Sequence, residues 1–308
     1  MHTHGHSHGE SSAKVLRYSL IATLLYVGVT AVAGIRAHSL ALLSEAGHNL
    51  TDLLAMVLSW VALLIQARPP SATKTFGYHR AGVLAALINA VTLVAIAFYI
   101  FYEAAMRLYN PIEVHPKLMI WVAAAGVVMN GVIAWFLFKA SRDVNIRSVF
   151  IHQVGDTLST AAVIVGGWMI LLTGRNWIDP VLSIGIGCLI LWSSASIIRE
   201  TLNILLEGTP SGISVEKIIA GISGIAGVND VHDVHVWSIG SETRALSCHI
   251  GIDDIPLSES ENILRSVKQV LADDFHIHHT TIQFENSACE IAHGCIIPMS
   301  HRHDHEHI

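Results

Sequence analysis

Charged residues are scarce in this chain. Lys and Arg total 18 and Asp and Glu 24 among 308 residues, 14% in all, where a soluble globular protein carries roughly 25%. That deficit excludes a wholly soluble fold. It is severe from about Val15 to Leu206 and absent afterwards, so a membrane domain followed by a soluble one is expected. Cysteine is scarce too. Cys188, Cys248, Cys289 and Cys295 are the complete set, too sparse for a disulfide framework. No basic stripe is present and the formal net charge is −6, which excludes a nucleic-acid partner. No cleavable leader is read either. The first thirteen residues are rich in His, Gly and Ser, and no small-residue cleavage site follows a short apolar core.

Six long apolar stretches fill the first two thirds: Tyr18–Ile35, Ser39–Ile65, Ala81–Tyr102, Leu118–Phe138, Ser148–Gly174 and Pro180–Ile198. Each approaches the roughly 20 residues that a bilayer-spanning helix needs. Lys14, Arg17, Arg68, Lys74, Arg80, Lys139, Arg142, Arg147 and Arg199 fall on one side of these spans. Only Arg36, Arg107, Lys117 and Arg175 fall on the other. The positive-inside rule therefore puts both termini in the cytoplasm.

From Ser214 the pattern changes to a helix (Ser214–Ile222), two strands (Val228–Trp237 and Thr243–Ile252), a helix (Ser258–Asp274) and a strand (Ile277–Glu285). The order αββαβ suits a small open α/β sandwich. Its bare sheet face or edge is available to a second copy. The expected division is a His-rich tail (1–13), a six-helix transmembrane domain (14–207), a cytoplasmic αββαβ domain (208–290) and a Cys/His-rich tail (291–308).

Two spacings stand out within the apolar part. They are His48-Asn-Leu-Thr-Asp52 in the second stretch and His152-Gln-Val-Gly-Asp156 in the fifth. Residues i and i+4 share one helix face. Two such faces brought together supply two nitrogens and two oxygens, a natural tetrahedral shell for zinc. Ionisable groups at membrane depth are rare and usually functional. Ligation requires deprotonated side chains, so metal and protons compete for the site, and exchange of a cation for protons is the expected mechanism. Glu45, one turn before His48, is a candidate partner behind the ligands or an entrance charge, and its expected setting is a water-filled mouth. Asn89 and Asn130 lie mid-span as expected interhelical hydrogen-bonding residues.

In the soluble part His232 and His235 are read as sharing a strand face, with His249 on the next strand available to join them. Residues 2–8 and 301–307 alternate His with other residues, a composition that collects metal. No Gly-x-Ser-x-Gly elbow, His-Glu-x-x-His or phosphate loop is present, which leaves a membrane enzyme without its motifs. A membrane-anchored metal sensor or buffer would explain the His tails. It would not explain paired ionisable residues in two separate spans.

The stretches Ser-Leu-Ala-Leu-Leu-Ser-Glu-Ala-Gly-His-Asn-Leu-Thr-Asp (39–52), Thr-Phe-Gly-Tyr-His-Arg (75–80), Asn-Ile-Arg (145–147) with His152 and Asp156, and Asp179-Pro180 resemble the cation diffusion facilitator family, in particular bacterial zinc exporters with His-rich ends. The resemblance covers nearly the whole chain. It implies six helices per protomer, a homodimer in the bacterial inner membrane, a ferredoxin-like, metallochaperone-like cytoplasmic domain and Zn²⁺/H⁺ antiport, with cadmium as a secondary cargo. By the same resemblance the transport ligands are His48, Asp52, His152 and Asp156. His232, His249, Glu285, Cys289 and Cys295 are candidate cytoplasmic metal ligands, with His293 beside the two cysteines. Glu261 falls where some relatives have a bridging His, and Gln283-Phe284-Glu285 where some carry His and Asp, so a full binuclear site is not implied. The stretch Lys74–Tyr78 lacks the Asp and His ligands of an additional loop site. Arg80 and Glu207 resemble a charge pair joining membrane and cytoplasmic parts.

Overall fold

The computed structural model describes the backbone of residues 7–140, 144–241 and 243–286, and the side chains of residues 21, 23–132, 134–135, 154–241 and 243–286. Six long helices come first: α1 (Ser7–Ala37), α2 (Leu40–Gln66), α3 (Ala81–Tyr109), α4 (Pro116–Ala140), α5 (Val144–Thr173) and α6 (Ile178–Leu205). They match the six apolar stretches. Among the described residues four helical segments are long and apolar enough to cross a membrane, and Thr23–Ala37 and Pro116–Val132 are shorter apolar helices. Helix is the expected form because lipid offers no partner to a free N–H or C=O.

Local chemistry sets where these helices stop. After Ala37 the chain turns through His38, whose φ of 54 is left-handed. There His38 N donates to Ile35 O and Ser39 N to Gly34 O, the two bonds that close a helix C-terminus of this type. Gly174, at φ 65, ends α5 by donating to Ile170 O. Pro116 opens α4, where its missing N–H removes nothing.

The helices meet through small residues. Ala33, Ala37, Ala41, Ala97 and Ala123 lie in one buried cluster with Leu42, Met119, Val163 and Ile190, as membrane helices pack by close backbone approach. Large apolar side chains such as Leu25, Trp60, Phe98, Tyr99, Trp121 and Trp192 point outward and are exposed, a surface that only lipid would cover. Gly126 on α4 is required by this packing. A Cβ there would lie 1.9 Å from the Tyr26 hydroxyl of α1 and 3.1 Å from the Thr160 methyl of α5.

One carboxylate organises an end of this bundle. Asp179, in the first turn of α6, is completely buried. Its Oδ1 accepts from Ser39 Oγ (2.6 Å) and Ala41 N (3.2 Å), and its Oδ2 from Leu40 N (2.6 Å). Asp179 therefore caps the N-terminus of α2 from another helix, satisfying donors that α2 cannot satisfy itself. Arg107 of α3 lies 3.8 Å from Oδ2, donates to His38 O and is held by Glu103 at 3.2 Å.

A second compact unit contains residues 65–83 with residues from 200 onward. Its elements are α7 (Val215–Ser223), β1 (Asp230–Ser238), β2 (Arg244–Gly251), α8 (Leu257–Phe275) and β3 (His279–Glu285). The αββαβ order is as expected, and each boundary shifts by no more than two residues. Ser214 caps α7 by accepting from Lys217 N at 3.3 Å. Its hydroxyl also donates to Glu216 at 2.6 Å, which holds that exposed carboxyl below its usual range. The sheet order is β1-β2-β3, antiparallel then parallel. One face packs Val236, Leu246 and Ile250 against Ile218, Ile222, Val267 and Leu271. The other face carries polar residues.

Between His232 and His235 the β1–β2 register shifts. Asp233 takes a left-handed φ of 51 at this bulge. Three residues apart on a regular strand would face opposite ways. The extra residue of the bulge is what returns His235 to the face of His232. Within the same unit Arg80 donates to Glu207 at 3.0 Å, and Phe76 sets its ring edge-on to His279 at 5.3 Å. The Arg80–Glu207 pair is exposed and contributes little by itself.

Asp179→Ala is expected to destabilise the membrane helices by about 3–5 kcal/mol, because it leaves three donors at the start of α2 buried without their acceptor and removes the carboxylate beside Arg107. Thermal unfolding in detergent micelles measures this. An unchanged midpoint would contradict the capping role.

Candidate metal centres

The face of α2 that carries function repeats once per turn: Glu45, His48 with Asn49, and Asp52. On α5 the matching positions are Asp156 and Thr160. His48 Nε2 lies 3.1 Å from Asp156 Oδ1 across the helix pair and 3.8 Å from Asp52 Oδ2 along α2. The three side chains are 15%, 11% and 23% exposed respectively. One ligand atom from each lies within 4.8 Å of the others. Two ligands of a tetrahedral zinc ion, each about 2.1 Å from it, sit roughly 3.4 Å apart, and the observed separations bracket that value. His152 lies one turn before Asp156 on α5, but its side chain is outside the described residues. The structure thus brings three of the four expected ligands together.

Glu45 differs from expectation. It is 0% exposed, not in a wet mouth. Its Oε1 accepts from Thr160 Oγ1 on α5 and from Asn49 Nδ2 at 3.4 Å. The Thr160 hydroxyl is shared with the carbonyl oxygen of Asp156 at 2.8 Å. Glu45 is drawn inward because α5 packs over it. Thr160 escaped the sequence reading because a hydroxyl one turn beyond Asp156 carries no charge pattern. Asn130 also departs from expectation. It is buried, yet its Nδ2 finds no hydrogen-bond partner.

The second cluster sits on the open face of the sheet. His232 of β1 pairs directly with His249 of β2, their rings 5.5 Å apart. Glu285, at the end of β3, reaches both. Its Oε2 is 3.3 Å from His232 Nε2, and its Oε1 is 3.0 Å from His249 Nδ1. These three form a group with metal-holding spacing. Asp230 orients His232 through Nδ1 at 2.8 Å, the carboxylate–imidazole arrangement that fixes a metal-binding ring. His232 Nε2 is buried and, among the described residues, has no aligned hydrogen bond, despite its proximity to Glu285. That leaves a lone pair aimed where a cation fits. A zinc ion held here would be bound by His232, His249 and Glu285.

The other candidates separate from it. His235 bonds to Asp233 at 3.0 Å and is largely exposed. Glu261 lies on α8 beside Arg265 at 3.8 Å. Cys289, His293 and Cys295 are outside the described residues. Asp230 was missed, although i and i+2 share a strand face and that spacing from His232 was its signal. Asp233, 3.8 Å from His249 Nε2, was not legible, because the bulge places it. Cys248 faces the apolar core, where burial pushes its thiol up to about 11. It is no ligand.

A family model described as the cation efflux transmembrane domain matches residues 16–206, and one described as the cation efflux protein cytoplasmic domain matches residues 210–287. The chain is 38% identical to the cadmium, cobalt and zinc/H(+)-K(+) antiporter of Bacillus subtilis, over 98% of this chain and 99% of that protein. It is 37% identical to zinc transporter ZitB of Pectobacterium atrosepticum, over 94% of this chain and 91% of the relative. A solved structure, the metal-bound C-terminal domain of the CzcD transporter from Cupriavidus metallidurans, is 37% identical and covers 24% of this chain and 99% of its own, with a TM-score of 0.22.

In an Asp52→Ala background, which removes a membrane ligand, His249→Ala is expected to weaken zinc binding at the sheet cluster by about 10–100-fold. Equilibrium zinc titration of the full-length protein reads this. A maleimide at about pH 8 is expected to label Cys248 slowly, with labelling rising only as pH approaches the raised thiol value, because the thiolate is the reactive form. Rapid labelling at neutral pH would contradict its burial.

Proposed function

The chain belongs to the cation diffusion facilitator (cation efflux) family, and we propose that it exports zinc from the cytoplasm in exchange for protons. The observation that carries this reading is the convergence of His48, Asp52 and Asp156 between two helices of an integral membrane domain. His152, one turn from Asp156, completes the set of two imidazoles and two carboxylates.

Such a set does two things. It replaces the hydration shell of a divalent ion with nitrogen and oxygen, so the ion can reside at membrane depth. It also requires neutral imidazole and ionised carboxylate. When the site faces the more acidic side, protons displace the ion. When it faces the cytoplasm, the ion displaces protons. Alternate exposure of one site then couples the two fluxes. Four protein ligands leave no open position for an activated water, so the site holds and passes a metal and performs no hydrolysis.

In this reading six helices span the bacterial inner membrane with both termini cytoplasmic, as the Lys and Arg distribution favours. Domain limits are 14–207 for transport and 208–290 for the cytoplasmic unit, with the His-rich residues 1–13 and the Cys/His-rich residues 291–308 as weak metal collectors. The cytoplasmic domain pairs with a second copy, and His232, His249 and Glu285 report cytosolic zinc. Cadmium and cobalt, named for the Bacillus subtilis relative, are accepted as secondary ions because they share these donor preferences.

Everted membrane vesicles test this. Zinc uptake is expected to rise with an imposed pH gradient, acid inside, and Asp52→Ala is expected to abolish it while the sheet cluster still binds zinc. Uptake by that variant equal to the parent's would overturn the assignment of the site. Indifference to the gradient would overturn proton coupling.

A further inference from the structure

Glu45 is a buried acid that the four-ligand site does not use. It stands one turn closer to the α2 N-terminus than His48, about 4.5 Å along the helix axis. On α5, which runs the opposite way, its partner Thr160 stands one turn beyond Asp156. Glu45 and Thr160 therefore form the next rung of the same helix pair. Under the export reading, on which this inference rests, that rung lies on the outward side of the transport ligands.

The rung is asymmetric. Oε1 accepts from Thr160 and Asn49. Oε2 is buried and, among the described residues, has no hydrogen-bond partner. Among the described residues no Lys or Arg pairs with Glu45, and His48, one turn away, is paired with Asp52 and Asp156. On α1 the buried hydroxyls of Tyr26 and Thr30, one turn apart, have only each other as close company among the described residues. Tyr26 meets Thr160 over Gly126, where a Cβ would touch both. Unsatisfied buried polar atoms are rare in native proteins, and the free Glu45 oxygen beside a cation pathway has a ready explanation in the cation.

A cross-link between α2 and α5 does not require a carboxylate, since an amide oxygen accepts from Thr160 equally well. A permanently buried carboxylate without a cation is strongly disfavoured. One that meets a divalent ion during each cycle is not. We propose that Glu45 is a transient ligand for the transported cation, receiving it through Oε2 as it leaves His48, Asp52 and Asp156 for the outer side. The Tyr26 hydroxyl, which meets Thr160 over Gly126, is a neutral oxygen at the same level. Oε1 stays tethered to Thr160, which aims Oε2 and keeps the two positions one rung apart. The ion changes ligands without full rehydration, and no bond to carbon forms or breaks.

Three variants in reconstituted vesicles test the proposal, each read relative to a parent chain that exports zinc. E45Q keeps the Thr160 bond and loses the anionic oxygen. It is expected to lower the maximal zinc rate about tenfold or more, while equilibrium zinc affinity stays within about threefold of the parent. T160V removes the tether and leaves the carboxylate. It is expected to lose less rate than E45Q. E45C places a soft thiolate at the step and is expected to raise the ratio of cadmium to zinc transport rate several-fold, with the equilibrium preference of the four-ligand site unchanged. A parent-like rate in E45Q overturns the proposal. So does a T160V defect as large as or larger than that of E45Q, because the Thr160 bond and not the anionic oxygen would then carry the rate. Loss of equilibrium affinity in step with rate would instead make Glu45 part of the resident site, and an unchanged cadmium-to-zinc rate ratio in E45C would deny it contact with the ion. A parent chain that moves no zinc would sink the export reading itself, and this step with it.

Discussion

A carboxylate inside a membrane needs a positive partner, and this chain meets that need in two ways. Asp179 has permanent partners. Three donors from the start of α2 and the Arg107 guanidinium surround it, so its charge is spread over fixed groups and the joint is structural. Asp156 has an exchangeable partner. An imidazole lies 3.1 Å away, and an imidazole can yield its place to a metal or carry a proton itself. One arrangement anchors α2 at its end, and the other lets something bind in its middle. Holding the N-terminus of α2 fixes the axis along which Glu45, His48 and Asp52 are presented to α5.

The same division between fixed and exchangeable partners recurs on the sheet. Asp230 fixes the ring of His232, while the opposite ring nitrogen finds no aligned hydrogen bond beside Glu285. Fixing one nitrogen and leaving the other available is how proteins prepare an imidazole for a metal. The bulge at Asp233 adds a carboxylate near His249 and turns His235 outward. A regular strand would have done neither. The two clusters thus share a chemistry of imidazole and carboxylate. One sits at membrane depth, where ions must pass through, and the other on a solvent-facing sheet, where they can equilibrate.

Much of this was legible in the linear chain. The bounds of α7 to β3 followed from hydrophobic period to within two residues, and their order held because each element buries one apolar face, whereas α1, α3 and α6 run well past their apolar stretches. The partnership of His48 with Asp52 needed only a period of 3.6. Glu45 was misread because burial depends on which helix covers a face, and nothing in residues 40–52 says that α5 does. The shared face of His232 and His235 was read from alternation, which three residues do not satisfy. It holds only through the bulge.

By itself the sequence determined which residue types recur at which local spacing: a membrane domain, a small α/β domain, two His-x-x-x-Asp pairs and a strand carrying histidines. Those are short-range properties, set by backbone geometry within a turn or two. Tertiary structure alone decided that α2 meets α5, that Asp179 caps a helix beginning 139 residues earlier, that Glu45 is sealed from water, and that Glu285 reaches two histidines on other strands. Each of these joins groups far apart in sequence. Long-range packing chooses such neighbours by summing many weak contacts across the whole chain, and no local pattern carries that sum.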